Sequence, residues 1–391
     1  MNKLNIIVVG TGMYACGRGT DGYGTVLPAV LQWGKTNDIN SIYLVGTDPS
    51  GAGKTKSKIN QLSRGLKCDF RICYLPGGKK KDNRAYLKAI RNIPKPACAI
   101  VAVPDNLHVE IASATIRAGI HTLVVKPLAP TLKEVNELIS LQARRGVYCA
   151  VEFHKRFDLA NLKLKDVIAK KIIGDPLYFL VEYSQRKSIP YKRFKKWVTK
   201  TNIFQYLGIH YVDIIYFVTG AKPVRAMAIG QKGWLLSRGI NAYDSVEGII
   251  EWKMPSGNKF SSHILTNWVD PETTSAMSDQ KIKVIGTKGR FESNQKNRGI
   301  KIVTDEKSIE EPNPYFCQPY GTDNIHYQGY GVESINRFLN DTVRVEQKIV
   351  SVKSLEENRP TFKQSLAPTA ALEAINKSLH AGGKWVLVKG V

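Results

Sequence analysis

The first half of the chain alternates short apolar runs with stretches whose apolar residues recur at helical spacing. The runs are rich in β-branched residues and predict strands buried on both faces of a sheet, at 5–9, 41–45, 97–103, 121–125 and 147–153. The amphipathic stretches between them predict helices over 26–33, 84–92, 106–118 and 132–145. Strand alternating with helix predicts right-handed crossovers, so we expect an α/β domain over residues 1–150 with a doubly wound parallel sheet.

The pattern changes after Asp158. Helices are predicted over about 159–172 and 210–218, and other segments alternate apolar and polar residues as half-buried strands do, at 176–183, 224–230, 246–253, 259–267, 281–286 and 289–292. We therefore expect residues 151–391 to form an α+β domain with a large, mostly antiparallel open sheet. A last amphipathic helix, over about 366–382, is expected to pack back toward the first domain.

A glycine-rich turn follows the first predicted strand. The segment from Gly10 to Ala15 (GTGMYA) fits G-x-G-x-x-G/A, in which the first glycine permits a tight turn and the second leaves room for a pyrophosphate. We expect this turn to bind a nicotinamide dinucleotide on a Rossmann-type domain, against N–H groups at a helix N-terminus. The residues expected to hold it are Gly10, Gly12, Met13, Tyr14 and Ala15. A glycine-rich turn without a ligand remains the alternative for the pattern alone.

Two neighbouring features bear on which dinucleotide would bind. Asp48 closes the second strand, where a carboxylate would bond the ribose hydroxyls and repel a 2′-phosphate, so NAD is favoured. NADP remains possible because three lysines follow closely, at Lys54, Lys56 and Lys58. The glycine-rich loop from Cys16 to Gly24 is longer than the fingerprint needs. It is either a lid over the cofactor, with Arg18 near phosphate, or a surface insertion.

Composition narrows the class of protein. The chain has 57 basic and 33 acidic residues, a formal charge of +24, which favours an anionic partner or simply a solvated basic surface. No nucleic-acid motif accompanies the charge. The six cysteines and seven histidines lack metal-site spacing, so no metal and free thiols are expected. No apolar run approaches the ~18–20 residues that span a bilayer, and the first ten residues are typical of a strand, so we expect a cytoplasmic protein without a membrane partner.

Several motifs in order resemble the glucose–fructose oxidoreductase/inositol dehydrogenase (Gfo/Idh/MocA) family. They are 103–108 (VPDNLH), 119–121 (GIH), 126–128 (KPL), 153–157 (FHKRF), 174–177 (GDPL), 208–213 (GIHYVD) and 285–289 (IGTKG). The resemblance implies an NAD(P)-dependent oxidoreductase that transfers a hydride to or from a hydroxyl or carbonyl of a sugar, cyclitol or nucleotide-sugar. It also implies a C-terminal domain that binds substrate and forms a homodimer or homotetramer through its sheet. The basic charge makes a phosphorylated or nucleotide-linked substrate attractive.

The resemblance also implies site residues. Lys126 matches the family's catalytic lysine, which would handle the hydroxyl proton, and His210 matches its proton-transferring histidine. Val103, Pro104, Asn106, His108 and Lys126 match positions near the cofactor. Residues expected near the substrate are Lys126, Arg156, Tyr206, His210 and Asp213, with Asp213 more suited to orienting a neighbour. Lys155, Arg156, Lys195, Lys196 and Trp197 are either substrate contacts or, as we favour, exposed basic surface.

Two positions depart from the family pattern. The glutamate before Lys-Pro is Val125, and the aspartate four residues before the histidine is Tyr206, which could relay a proton in a catalytic role. These losses keep two other hypotheses open. One is an NAD-dependent glycosidase or lyase that uses transient oxidation before elimination, and the other is a non-catalytic, NAD-binding regulatory protein.

Overall fold

The computed structural model describes residues 3–195, 197–306 and 309–390, which form a parallel sheet, a second mixed sheet and two small hairpins. In chain order, the strands are β1 (Leu4–Val9), β2 (Ile39–Val45), β3 (Ile72–Leu75), β4 (Ala97–Val101), β5 (His121–Val125), β6 (Cys149–Glu152), β7 (Pro176–Arg186), β8 (Lys222–Gln231), β9 (Ser245–Lys253), β10 (Lys259–Asp270), β11 (Ser278–Gly286), β12 (Gly289–Asn294), β13 (Ile302–Val303), β14 (Ile309–Glu310), β15 (Gln318–Tyr320), β16 (His326–Gln328) and β17 (Val386–Leu387). The helices are α1 (Met13–Cys16), α2 (Val26–Gly34), α3 (Pro49–Leu66), α4 (Ala85–Asn92), α5 (His108–Arg117), α6 (Leu132–Arg145), α7 (Leu159–Ala169), α8 (Ile209–Thr219), α9 (Tyr330–Glu346), α10 (Val352–Leu355) and α11 (Leu366–His380).

The first compact unit contains a six-stranded parallel sheet. Its order is β3-β2-β1-β4-β5-β6. The chain adds β2 and β3 on one side of β1 and β4 to β6 on the other, so the order of the strands reverses between β1 and β4. This is the Rossmann order, in which ligands bind beyond the carboxyl ends of the strands at the reversal. The strands are apolar on both faces because helices cover both, as β1, with six buried residues, illustrates. The predicted doubly wound sheet is confirmed.

A return segment, Tyr315–Gln364, belongs to this first unit together with the chain up to Ala129 and Lys133–His154. Residues of α9 enter its hydrophobic core, and the indole N–H of Trp33 donates to Asn340 Oδ1 at 2.7 Å. The predicted boundary, which gave all of 151–391 to the second domain, is therefore wrong for this segment. The physical reason is that the apolar face of α9 completes the core around α2.

The second compact unit holds a seven-stranded sheet in the order β12-β11-β7-β10-β9-β8-β17. Only β7 and β10 pair in parallel, so the predicted mostly antiparallel sheet is confirmed. One face packs against α8 and α11, and its buried residues include Val246, Ile250, Trp252, Ile264, Trp268, Ile282 and Val284. The other face presents half-buried and exposed side chains, among them Tyr178, Ile229 and Leu265.

The last helix belongs to the second unit. α11 packs on β8 and α8 and lies with Ser365–Val391 in that unit. Its buried residues, such as Leu372 and Ile375, fit the sheet of that unit. Within the described ranges, no helix combines the length and apolarity of a membrane crossing. The described residues also contain no cluster of three or more His, Cys, Asp or Glu that could hold a metal.

Candidate active site

The glycine turn after β1 has the shape that the sequence predicts. Gly10 has φ +118°, and a Cβ there would overlap the carbonyl oxygen of Ala102, so only glycine fits. A Cβ added at Gly12 would meet no atom within 4 Å, which leaves open space above the backbone. Ala15 is buried, as close packing of helix and strand requires. The turn therefore fits a dinucleotide pyrophosphate, with Met13 and Tyr14 starting the helix behind it.

The helix after this turn is interrupted. α1 has four residues and ends at Gly17 in the left-handed region, and α2 begins only at Val26. The loop between them is held from α3, because Lys58 Nζ donates to the carbonyls of Gly17 (2.8 Å), Thr20 (2.6 Å) and Gly22. The glycine-rich insertion is thus an ordered loop that the ammonium group of Lys58 holds in place. Arg18 lies exposed on it.

Asp48 lies beyond the carboxyl end of β2, as predicted. Its carboxylate is 3.8 Å from Lys81 Nζ and its side chain is about one third exposed. Of the three lysines that kept NADP open, Lys58 is engaged with the loop carbonyls, whereas Lys54 and Lys56 are exposed on α3. Asp48 thus stands beyond β2, where a carboxylate would favour a ribose with free hydroxyls, and Lys81 is paired with it.

Lys126 is the residue that follows β5 and is half-buried at the carboxyl edge of the parallel sheet. Burial lowers its pKa to about 8, whereas the negative charges of Glu152 and Asp105 oppose that fall. A lysine in this state changes protonation close to neutral pH, which is what a group that exchanges a proton with a hydroxyl requires. Asp105, which is buried, stands on the turn that follows β4.

His108 braces two of the strand-end turns. Its Nδ1 lies 2.7 Å from the carbonyl oxygen of Pro127 and its Nε2 lies 2.9 Å from that of Val103. Burial lowers the pKa of His108, and the two carbonyl acceptors oppose that fall. Because both ring nitrogens face backbone carbonyls, the histidine ties the Val103-Pro104 turn to the Lys126-Pro127 turn. Asn106, by its backbone N–H, bonds the Asp105 carboxylate on the same turn.

A cluster that no sequence motif predicted lies at the same edge of the sheet. Glu152 ends β6, is 1% exposed, and pairs in register with Val125 of β5. His154 Nδ1 donates to its carboxylate at 2.9 Å, and the Tyr14 hydroxyl also hydrogen-bonds it. Burial, with the nearby carboxylate, raises the pKa of Tyr14 well above its usual value. The sequence did contain a signal for this cluster, since Glu152 directly precedes the FHKRF motif.

In the second unit, His210 and Tyr206 flank the N-terminus of α8. His210 is 4% exposed, and its ring centroid is 6.2 Å from that of Tyr183. Tyr206 is half-buried within an aromatic cluster, with ring centroids 5.1 Å from Phe194, 5.9 Å from Trp197 and 5.7 Å from Trp268. Burial and then the charge of Tyr206 raise the pKa of Tyr183. Tyr183, which no motif marks, therefore neighbours both predicted residues.

Arg156 and Asp213 form a buried ion pair. Arg156 Nη2 donates to Asp213 Oδ1 at 2.6 Å and Nε donates to Oδ2 at 2.9 Å, and the two side chains are 6% and 1% exposed. The favoured interpretation of Arg156 as exposed surface is wrong, because the salt bridge and the ring of Phe217 take it into the interior. Asp213 therefore holds the guanidinium group of Arg156.

Lys155 is also buried rather than exposed, at 2%. Its ammonium group donates to Gln280 and Gln295 and lies over the rings of Tyr183 and Tyr211. Polar and aromatic neighbours replace water around it, which the sequence did not reveal. Lys195 is exposed, as predicted, Trp197 belongs to the aromatic cluster, and Lys196 lies outside the described residues.

Two family models match the chain. One, described as "Oxidoreductase family, NAD-binding Rossmann fold", matches residues 66–153, and the other, the GFO/IDH/MocA C-terminal domain, matches 161–292. Together they cover more than half of the chain. The first begins after the glycine turn, so the turn is supported by its own geometry.

Named relatives agree with these models. A 1,5-anhydro-D-fructose reductase of Ensifer adhaerens is 27% identical over 198 residues, which is 50% of this chain and 56% of that protein. A scyllo-inositol 2-dehydrogenase (NADP(+)) of Bacillus subtilis is 30% identical over 148 residues, 37% of this chain and 41% of that one. The chain thus spans about half the length of the curated relatives that it matches.

The fold has a solved counterpart along its whole length. The scyllo-inositol dehydrogenase of Lactobacillus casei, with NAD(H) and scyllo-inositol bound, superposes with a TM-score of 0.67 over 99% of both chains. Its identity of 15% supports the fold alone. Given the two family models, the strand order and the glycine turn, the chain belongs to the Gfo/Idh/MocA family of oxidoreductases, whose N-terminal domain is an NAD-binding Rossmann fold.

Proposed function

We propose that this protein is an NAD(P)-dependent oxidoreductase that acts on CH–OH groups of sugars or cyclitols. The observation that carries the proposal is Lys126, a half-buried lysine with a pKa of about 8 at the carboxyl edge of the sheet. When bound, the nicotinamide supplies or accepts the hydride. Lys126 takes the proton from the hydroxyl as the carbonyl forms, and returns it in the opposite direction.

The other site residues have different proposed roles. Gly10, Gly12, Met13, Tyr14 and Ala15 would hold the pyrophosphate and Asp48 the ribose hydroxyls, so we propose NAD as the preferred nucleotide, with NADP second. Val103, Pro104 and Asn106 would line the nucleotide from the turn after β4, which His108 braces. The supporting observation is that all these residues follow the carboxyl ends of parallel strands.

Substrate contacts are proposed for residues of the second unit. His210 would exchange a proton with the substrate, and Tyr206 would bond a hydroxyl or relay a proton, in the roles that the family resemblance gives them. Arg156 and Asp213 would act on the substrate only indirectly, because each is occupied by the other. The net charge of +24 supports a phosphorylated or nucleotide-linked substrate within the sugar class.

Two features of the whole protein are also proposed. The open face of the seven-stranded sheet supports a homodimer or homotetramer, since it carries exposed apolar side chains at Tyr178, Ile229 and Leu265. A cytoplasmic location is supported by the six cysteines, which are all free, as thiols are kept in a reducing compartment. Fractionation of the source cells tests the location.

The experiment is a panel of cyclitols, sugars, sugar phosphates and nucleotide-sugars assayed with NAD and NADP. We expect NADH formation, and the ratio of kcat/KM for NAD and NADP tests the nucleotide preference. Oxidation should rise with pH through about 8, because only neutral Lys126 accepts a proton, and reduction should fall through the same pH. Lys126→Met should lower kcat by roughly 10²–10⁴-fold.

Lys133→Ala, an exposed lysine on α6, is the matched control and should retain full activity. Full turnover in Lys126→Met would contradict the proposal. Product release without net NADH would instead support the elimination mechanism. Nucleotide binding without turnover on any substrate of the panel would support a non-catalytic NAD-binding protein.

A further inference from the structure

The carboxylate of Glu152 lies on the strand next to the one that presents Lys126. Glu152 pairs with Val125 in the parallel register of β5 and β6, and Lys126 follows Val125 directly. Neighbouring strands of a sheet lie about 4.8 Å apart. The backbone of Glu152 is therefore one strand across and one residue along from that of Lys126, at the carboxyl ends of β5 and β6, and the negative charge of Glu152 acts on the lysine, although no carboxylate directly precedes the lysine in the sequence.

Two donors fix this carboxylate in place. His154 Nδ1 lies 2.9 and 3.1 Å from its two oxygens, and the Tyr14 hydroxyl bonds it as well. The His154 ring is 7% exposed and packs against Phe316 and Tyr330, with ring centroids at 5.3 and 5.6 Å. A buried carboxylate needs such donors, and here they come from the glycine turn and from the segment after β6.

Charged groups on other elements also act on Lys126. Asp105 contributes a second negative charge from the turn after β4, and the His108 ring, from α5, is itself repelled by the lysine. From the other segments around Glu152 come Tyr14 and His154, with Cys317 and Tyr330 acting on Tyr14. Of the negative charges that favour the ammonium form of Lys126, Glu152 is the stronger.

We propose that Glu152 is the positioning residue of Lys126, the carboxylate that holds its ammonium group, and that Tyr14 and His154 keep Glu152 oriented. This inference rests on the proposed function of Lys126. It gives the chain, from β6, the charged neighbour that Val125 cannot supply from β5. It also joins the nucleotide turn, through Tyr14, to the group that exchanges the proton.

The test is the titration of Lys126 itself, which needs no substrate. Competitive acylation across a pH series, with mass spectrometry of the peptide that contains Lys126, gives its midpoint in the whole protein. Glu152→Gln should lower that midpoint by about one pH unit, because loss of an adjacent opposite charge destabilises the ammonium form. The pH at which oxidation rises should move down by the same amount.

Glu346→Gln is the matched control. Glu346 bonds His121 at the start of β5, so the same change in charge falls in the same unit at the opposite edge of the sheet. It should leave the Lys126 midpoint unchanged. The double variant Val125→Glu/Glu152→Gln moves the carboxylate across one strand and should recover at least half of the shift.

If Glu152→Gln does not fold, Val125→Glu is compared with the double variant, since both retain a carboxylate beside Lys126. The double variant should have the lower midpoint. A Lys126 midpoint that is equal with and without Glu152, in folded protein that binds NAD, would overturn the inference. Absence of turnover in the unaltered protein would instead contradict the proposed function, and the labelling result would still stand.

Discussion

Arg156 and Asp213 form an ion pair from which water is almost wholly excluded. Truncation of one partner leaves the other charge buried without compensation, which typically costs about 3–5 kcal/mol. We therefore expect Asp213→Ala to lower the urea midpoint of the second unit markedly. Five of the six tryptophans, at positions 197, 234, 252, 268 and 385, lie in that unit, so tryptophan fluorescence follows its unfolding.

Asp166→Ala is the control for this variant, because Asp166 pairs with Lys163 and Lys170 on the surface of α7. Surface pairs contribute little, so its midpoint should stay close to that of the unaltered protein. If Asp213→Ala keeps the urea midpoint of the unaltered protein and loses only affinity for substrate, the pair has a direct role in binding and our structural interpretation is wrong.

Residue roles were predictable from sequence where a local rule decides them. Gly10 needs a positive φ and Lys126 follows a strand, and both facts are visible within a few residues. Burial of Lys155 and Arg156 was not predictable in this way. Their partners, Gln280 and Asp213, stand 125 and 57 residues away, so only the folded chain brings them together.

At the scale of elements, α3 shows how tertiary packing overrides composition. The segment carries several lysines and the glycines at 51, 53 and 65, which lower helix propensity, so the sequence predicted no helix there. Its buried residues are nevertheless spaced by three and four, at Ile59, Leu62 and Leu66, and they enter the core of the first unit. Contact with that core stabilises the helix.

The loop between α1 and α2 depends on α3 through one side chain. Lys58 supplies donors to three loop carbonyls, so Lys58→Met should loosen residues 17–24. We expect the backbone amides of a peptide covering 16–25 to exchange at least about tenfold faster, since loss of one charge-assisted hydrogen bond of roughly 1.5 kcal/mol corresponds to that factor. Hydrogen exchange with mass spectrometry measures it.

Lys56→Met provides the comparison, because Lys56 is exposed on the same helix two residues earlier. Exchange in the loop should be unaffected by this change. Equal exchange in Lys58→Met and in the unaltered protein would show that the backbone alone orders the loop. Its turns at Gly17 and Gly24, where a Cβ would overlap neighbouring backbone, would then be sufficient.

At the scale of the whole molecule, the chain builds its two units from discontinuous segments. The return segment Tyr315–Gln364 enters the first unit before Ser365–Val391 completes the second. The sequence contains the apolar spacing of α9, at Val332, Ile335 and Phe338, but it does not show which core receives this face. The hydrogen bond from Trp33 to Asn340 joins residues 307 positions apart, so only the folded structure shows where the first unit ends.

The open face of the second unit's sheet determines what we expect of assembly. Its rows mix apolar residues with both signs of charge, as where Leu265 stands between Glu182 and Glu247 and Lys281 pairs with Glu182. Such a face suits contact with a second copy of itself, related by a two-fold axis. The axis places each row of charged residues against the same row of the other copy, running in the opposite direction. We expect the protein to have two or four times the chain mass in solution.

Leu265→Glu should shift this mass toward that of a single chain, since Leu265 is 36% exposed near the centre of the face and the added charge would be buried only in the assembly. Leu159→Glu, at a leucine 67% exposed on α7, adds the same charge elsewhere and should leave the mass unchanged. Light scattering after size exclusion measures both. An assembly that survives Leu265→Glu but is lost in Leu159→Glu would place the interface on another surface.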